Sequence, residues 1–228
     1  MKEFVENLLP YERNLFFLLN GSNCVFLDNI MYTISGSKIW IPLYLFVVFL
    51  IFYKTPKKEA LFITLFFLLV FALCDQFSSG LIKPIFERLR PGHHPDFKDF
   101  VNIVNGRRGG GYSFISGHAT NCFGFAVFLL LVFRNRWVTL VALVWATAIA
   151  YSRIYLGMHF VSDVVGGIMA GTLIAITLYA VLIPLRKKLF KLESSEKTRI
   201  YSEQHGKLLA LGFAIYLFGV ILFSLFFS

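Results

Sequence analysis

The chain has 228 residues, of which 57% are apolar and only 15% charged, with 27 Phe among them. This balance excludes an ordinary soluble domain, in which about 25% of the residues are charged and apolar runs are shorter. The net charge of +9 does not indicate a nucleic-acid partner, because the basic residues lie in short groups between apolar runs. Three scattered Cys residues form neither a metal-ligand spacing nor a disulfide framework.

The N-terminal segment is amphipathic, and we expect no cleaved signal peptide. Glu3, Glu6 and Glu12 occupy the region that is basic in a signal peptide, and no early apolar run follows. The stretch FVENLLPYERNLFFLLNGSN is typical of a helix that lies along a membrane surface. We therefore predict an amphipathic interfacial helix, with an ordinary packing helix as the alternative.

Uncharged apolar runs then follow along the chain. They cover residues 39–53, 60–74, 119–133, 137–152, 164–185 and 208–228. A transmembrane helix needs roughly 20 mostly apolar residues to cross about 30 Å of hydrocarbon. The last two runs reach this length unaided, and the others must include neighbouring polar residues. The sequence therefore predicts an all-α, polytopic membrane protein with six transmembrane helices, in a single domain that covers residues 1–228.

The connections between six spans alternate between the two sides of the membrane. One side receives KTPKK, RNR and RKKLFKLESSEKTR, and the other receives both termini, residues 75–118 and the turn 152–163. Lys and Arg divide almost evenly until Lys83, Arg90 and Arg153 are assigned to a site. The positive-inside rule then makes the first side cytoplasmic. Residues 75–118 and the turn 152–163 are expected to face away from the cytoplasm.

Three polar clusters fall on this outer side of the membrane. They are KPIFERLRP, YSFISGHAT and SRIYLGMHFVSD. Ionisable groups at membrane depth are costly and are functional candidates for that reason. Arg90 and Arg153 can hold phosphate oxygens with forked hydrogen bonds, and Lys83 adds a compact charge. The clusters together predict a site for an anion.

Helix starts add to this predicted anion site. Ser116 is a candidate N-cap of the third span, and Gly117 leaves backbone N–H groups open to phosphate oxygens. His159 and Asp163 share one helix face, so the carboxylate can orient one ring nitrogen and leave the other free to attack. His118 is then the candidate acid for the leaving oxygen, if a bound phosphate keeps it protonated.

The fifth predicted span carries two glycines four residues apart, Gly167 and Gly171, with Ala170 between them. Small residues at this spacing allow two helix backbones to approach closely. We expect the pair to hold the span that follows His159 against a neighbouring helix rather than to mark a dimer.

The three clusters resemble the motifs of the type 2 phosphatidic acid phosphatase superfamily, which are K-x6-RP, PSGH and SR-x5-H-x3-D. The first and third motifs match at Lys83, Arg90, Pro91, Ser152, Arg153, His159 and Asp163. The second departs from the pattern, because Ile115 stands where the family usually has Pro. This change alters the turn before the helix and removes no chemical group.

The resemblance implies an integral membrane phosphatase that hydrolyses a lipid phosphomonoester or diphosphate without a metal or another cofactor. It implies that His159 forms a phosphohistidine, that Asp163 orients it and that His118 protonates the leaving group. It implies that phosphate is bound by Lys83, Arg90, Ser116, Gly117 and Arg153. The expected location is a bacterial inner membrane, with the site on the extracytoplasmic face.

Several questions stay open at the level of the sequence. The lipid can be undecaprenyl diphosphate, a lipid A phosphate, phosphatidylglycerol phosphate or phosphatidic acid, and the oligomeric state is undetermined. A lipid phosphotransferase with the same intermediate and a non-catalytic transporter of anionic lipids are the alternatives. His93, His94, Arg107 and Arg108 either contact a headgroup or belong to an exposed, solvated loop.

Overall fold

The computed structural model describes residues 1–22, 24–106, 108–191 and 200–226. Within these ranges the regular elements are all helices, which confirms the predicted all-α class. The α-helices are α1 (Lys2–Glu6), α2 (Leu9–Leu19), α3 (Val25–Ile34), α4 (Ile41–Phe52), α5 (Lys57–Asp75), α6 (Lys83–Phe86), α7 (Gly117–Phe133), α8 (Arg136–Tyr155), α9 (Val161–Phe190) and α10 (Glu203–Phe226).

The described ranges contain four or five candidate membrane spans, against the six that the sequence predicts. Four helical stretches are long and apolar enough, namely Lys57–His93, Arg136–Tyr155, Val161–Phe190 and Glu203–Phe226. A fifth is possible where α3 is followed by Lys38–Phe52, since the two parts pass the test together but are bent by 69°. Helix α7 is apolar but has 17 residues, somewhat fewer than the roughly 20 that a straight crossing needs.

The helical stretch that begins with α5 runs further than the sequence indicates. A π-helical segment, Gln76–Ile82, continues directly from α5 and leads into α6. The chain turns only at Glu87, which has a φ of 45°. Residues 75–86 were predicted to belong to the connection 75–118 between two spans. The helical extension places Lys83 on a regular element, and π-helical turns are frequent at functional sites.

Helices α7 and α9 pack closely, and two glycines of α9 make this possible. A Cβ atom at Gly171 would lie 2.2 Å from the carbonyl oxygen of Thr120, and one at Gly167 would lie 2.7 Å from that of Ser116. Both distances are far below van der Waals contact, so the expected close packing of this span against a neighbouring helix is confirmed. The close approach brings the start of α9 beside the start of α7, where the backbone N–H of Ser116 donates to the carbonyl oxygen of Asp163 at 2.9 Å.

We expect Gly171→Ala to lower the thermal stability of the protein in detergent. The added methyl group must push α9 away from the Thr120 carbonyl, and overpacking of this kind costs about 1–3 kcal/mol. Gly219→Ala in α10 is the matched control, because a Cβ atom there meets nothing within 4 Å. A Tm of Gly171→Ala equal to that of the wild type would show that the two helices are not held at this distance.

The N-terminal helices pack against the rest of the chain through one face of α2. Leu9, Glu12 and Phe16 are buried on this face, whereas Tyr11 and Leu18 are exposed. Phe16 contacts Phe97 of the segment after α6 and Phe160 before α9, together with other apolar residues. Helix α2 therefore packs near the end of α6 and the start of α9, and it places the side chain of Glu12 in the protein interior.

Candidate active site

The residues of the three sequence clusters meet at one end of the helices. Lys83 lies in α6, Ser116 caps α7 by accepting from the Ala119 N–H, and Arg153 lies in the last turn of α8. A Cβ atom at Gly117 would lie 3.7 Å from Nζ of Lys83, so this ammonium group is beside the start of α7. The backbone carbonyl of Arg153 accepts from the N–H of His159 at 3.1 Å. The structure thus joins residues that are up to 76 positions apart in the chain.

His159 is held between a carboxylate and a guanidinium group. Its Nδ1 atom lies 3.4 Å from Oδ2 of Asp163, and its Nε2 atom lies 3.2 Å from Nη1 of Arg90. Burial, together with the positive charges of Arg90 and Arg153, lowers the pKa of His159 to about 3, although Asp163 acts in the opposite direction. The imidazole is therefore neutral near pH 7, with Nδ1–H facing Asp163 and the lone pair of Nε2 facing Arg90.

Asp163 is fully buried, and both of its oxygens accept hydrogen bonds. Oδ2 accepts from the N–H of Phe160 at 2.9 Å and from the hydroxyl of Ser113. Oδ1 accepts from Nη1 of Arg88 at 2.7 Å. With these partners the carboxylate has a fixed orientation toward the His159 ring, as a residue that orients a nucleophile requires.

Arg90 is anchored by backbone carbonyls. Its Nη1 atom donates to the carbonyl of Met158 at 2.9 Å, and its Nε atom donates to that of Gly110 at 2.9 Å. Gly109 has a φ of +69°, and a Cβ atom there would lie 2.8 Å from Sδ of Met158 and 3.2 Å from Cδ of Arg90. The glycine-rich stretch 109–111 therefore packs directly on the arginine that contacts His159.

His118 lies at the edge of a cavity of about 150 Å³. Its Nε2 atom is 3.3 Å from Oγ of Ser37, which precedes α4. The cavity is also lined by Trp40, which directly precedes α4, by Tyr44 of α4, and by Asn121, one turn further along α7. The histidine thus stands between the helix ends where the three clusters meet and a partly apolar recess.

Two charged residues of this region, Arg88 and Glu12, were not predicted from the sequence. Arg88 has no exposed surface and forms ion pairs of 2.7 Å with both Asp163 and Glu12. Its position within KPIFERLRP, two residues before Arg90, is a signal that could have found it. Glu12 is 76 residues earlier in the chain, and no spacing connects it with the motif.

Of the four basic residues whose role the sequence left open, His93, His94 and Arg108 are bound within the protein. Nε2 of His93 lies 3.0 Å from the carbonyl oxygen of Gly109, and Nε2 of His94 lies 3.0 Å from Oε2 of Glu6. Arg108 donates to the carbonyl of Gly92 at 3.1 Å. Arg107 lies outside the described residues. These contacts join residues 92–93 to residues 108–109 and attach His94 to α1.

Three relatives among known proteins carry the names of lipid phosphatases. The chain is 44% identical over 184 residues to the lipid A 4'-phosphatase of Porphyromonas gingivalis, which covers 81% of this chain and 78% of the relative. It is 36% identical over 168 residues to the lipid A 4'-phosphatase of Bacteroides thetaiotaomicron, an alignment that covers 73% of this chain and 75% of the relative. With the undecaprenyl-diphosphatase of Sulfolobus acidocaldarius the identity is 27% over 175 residues, covering 75% and 78%.

A solved structure has a similar fold. It is the crystal structure of a transmembrane PAP2 type phosphatidylglycerolphosphate phosphatase from Bacillus subtilis, with a TM-score of 0.56 and 26% identity over 83% of this chain and 89% of that one. The helices, the site and these relatives define a membrane lipid phosphatase, an enzyme that hydrolyses phosphate esters. The chain belongs to the PAP2 superfamily, whose family model matches residues 60–187.

Proposed function

We propose that this lipid phosphatase removes a phosphate from a lipid A-type glycolipid through a phosphohistidine at His159. The environment of His159 carries the proposal, because its neutral, buried ring has Nδ1 oriented by Asp163 and Nε2 beside Arg90. The choice of lipid is supported by the higher identity to two lipid A 4'-phosphatases, 44% and 36%, than to the undecaprenyl-diphosphatase, 27%.

In the proposed reaction Nε2 of His159 attacks phosphorus, and the bond between phosphorus and the lipid oxygen breaks. His118 gives its proton to that oxygen, and it later takes one from the water that hydrolyses the phosphohistidine. Lys83, Arg90 and Arg153 neutralise the charge on the phosphoryl oxygens, together with N–H groups at the start of α7. These fixed donors supply the charge stabilisation, so no metal or other cofactor is part of the proposal.

We also propose that the chain crosses a bacterial inner membrane six times, with the site on the extracytoplasmic face. The count includes α7, whose 17 residues lie among longer helices, and the bent pair of α3 and α4. The exposed apolar residues Tyr11 and Leu18 of α2 support a position at the membrane surface. The basic connections between α4 and α5 and between α7 and α8 support a cytoplasmic location of the opposite end.

A panel of lipids in liposomes, assayed for free phosphate, tests the function. We expect the purified protein to act fastest on lipid A and more slowly on undecaprenyl diphosphate, phosphatidylglycerol phosphate and phosphatidic acid. Its activity with EDTA should equal its activity without EDTA. Vanadate should inhibit, since it can adopt the trigonal bipyramidal geometry of phosphoryl transfer. Another preferred lipid would contradict the proposed substrate, and loss of activity with EDTA would contradict the mechanism. Phosphate recovered on an acceptor lipid would identify a phosphotransferase.

A further inference from the structure

A buried network of three charged groups joins Asp163, Arg88 and Glu12. Nη1 of Arg88 donates to Oδ1 of Asp163, and Nη2 of Arg88 donates to Oε1 of Glu12, both at 2.7 Å. The guanidinium group also lies over the ring of Phe160, with its Cζ atom 4.4 Å from the ring centroid. Arg88 is fully buried and Glu12 is 8% exposed, so little solvent screening weakens these interactions.

Glu12 also binds the first turn of α9 directly. Its Oε2 atom accepts from the backbone N–H of Ser162 at 2.7 Å, and its Oε1 atom accepts from the Ser162 hydroxyl at 2.7 Å. The first N–H groups of a helix have no partner within the helix, and a carboxylate is favoured there by the helix dipole. Asp163 fills the same need at the N–H of Phe160. Two carboxylates, Glu12 of α2 and Asp163 of α9, therefore bind the start of α9. His159 lies just two residues before this start.

The charges of Glu12, Arg88 and Asp163 affect the stability of the charge that develops on His159. His159 becomes positively charged as it attacks phosphorus, and the negative charge of Asp163 stabilises that change. Arg88 alone would offset much of the Asp163 charge, since the two are in direct contact without water between them. With Glu12 as a second anion, Arg88 is shared, and the three groups keep a net charge of −1 toward the His159 ring.

We propose that Glu12 is a positioning residue for the reaction at His159, acting through Arg88 on the orientation and charge of Asp163. The N-terminal helix α2 is on this account part of the catalytic unit in addition to any contact with the membrane. The inference rests on the proposed role of His159 and does not depend on which lipid is the substrate.

Glu12→Gln is the direct test, because the amide keeps the size of the side chain and removes its charge. We expect kcat to fall about 10- to 100-fold, corresponding to the loss of one charge-assisted interaction in the transition state. KM should stay within about two-fold, since Lys83, Arg90 and Arg153 are unchanged. Glu12→Asp restores the charge on a shorter side chain and should recover part of the lost kcat. The assay uses whichever lipid of the panel the wild type dephosphorylates fastest.

Glu59→Gln is the matched control, because Glu59 forms another buried ion pair, 2.6 Å from Nε of Arg186. This pair joins the start of α5 to the end of α9, away from the site. Rapid quenching measures phosphoenzyme formation, which should slow in Glu12→Gln and stay at the wild-type rate in Glu59→Gln. Equal kcat values for Glu12→Gln and the wild type would overturn the inference, as would equal losses of kcat in the Glu12 and Glu59 variants.

A second substitution keeps the test decisive if Glu12→Gln does not fold. Arg88→Lys retains the positive charge, but one ammonium group cannot reproduce the forked contacts with Asp163, Ser162 and Glu12. We expect its kcat to fall at nearly constant KM, with the folded state confirmed by thermal unfolding in detergent. A folded Arg88→Lys protein with wild-type kcat would overturn the inference.

Discussion

His159→Ala is expected to reduce phosphate release by at least about 10⁴-fold, the scale of loss when an enzyme nucleophile is removed. The substitution deletes the nitrogen proposed to attack phosphorus and leaves in place the cations proposed to bind phosphate. Substrate should therefore still bind, and KM should change much less than kcat. The polar partners of the ring keep other hydrogen bonds, Asp163 with Arg88 and the Phe160 N–H and Arg90 with backbone carbonyls, so we expect the protein to remain folded.

The measurement for His159→Ala is phosphate release together with trapping of labelled phosphoenzyme by rapid quenching. The wild type should carry phosphate on one histidine, and the variant should carry none. His205→Ala is the control, because His205 lies at the start of α10 and its Nε2 atom lies 2.8 Å from the backbone carbonyl of Tyr53. Wild-type turnover in His159→Ala would exclude the proposed nucleophile, whereas a labelled variant would move the covalent step to another residue.

The parts of the site that could be predicted from the sequence are those in which local spacing fixes the geometry. His159 and Asp163 are separated by four residues at the start of a helix, and this separation alone brings their side chains together. Gly167 and Gly171 likewise indicate a close helix contact, although the partner helix is visible only in the structure. Motif spacing also predicted that Lys83 and Arg90 lie in one region, and the structure places Lys83 beside the start of α7 and Arg90 beside His159.

The parts that the sequence could not give depend on contacts between distant segments. Glu12 was interpreted only as evidence about an N-terminal signal, because nothing local to it indicates that it pairs with Arg88. The helical extension after Asp75 was missed because its polar residues interrupt the apolar period. In this region tertiary packing and π-helical hydrogen bonding decide the conformation, and neither leaves a periodic pattern in the chain.

The number of membrane spans is also hard to predict from apolar composition alone. The segment 119–133 has the composition of a membrane helix, and the structure confirms that it is helical as part of α7. Its length is short for a straight crossing, yet α7 is packed among α5, α8 and α9, so most of its surface faces protein rather than lipid. The apolar composition of this segment therefore indicates that it is buried. Burial in protein and burial in lipid both require apolar residues, so the sequence does not distinguish them.

Asp163→Asn should reduce activity about as strongly as removal of the nucleophile, by about 10⁴-fold, the effect of the equivalent change in a Ser-His-Asp triad. An amide offers one acceptor oxygen where the carboxylate offers two. The NH₂ group can take the place of Oδ1, where it faces Nη1 of Arg88, or the place of Oδ2, where it faces the Phe160 N–H and the His159 ring. In either place it meets hydrogen-bond donors, with which it cannot pair. When the NH₂ faces the ring, Nδ1 must accept and the proton moves to Nε2, so the attacking lone pair is lost.

The same substitution should also destabilise the fold, which separates it from His159→Ala. Arg88 loses one of its two counter-ions and retains Glu12, so we expect a cost of about 1–3 kcal/mol, seen as a lower Tm in detergent. Glu59→Gln is again the control, since it should lower Tm by breaking a buried pair without a comparable loss of activity. Near-wild-type turnover in a folded Asp163→Asn protein would mean that the tautomer of His159 is set by another group, and Ser113, 3.4 Å from Nδ1, would be the first residue to test.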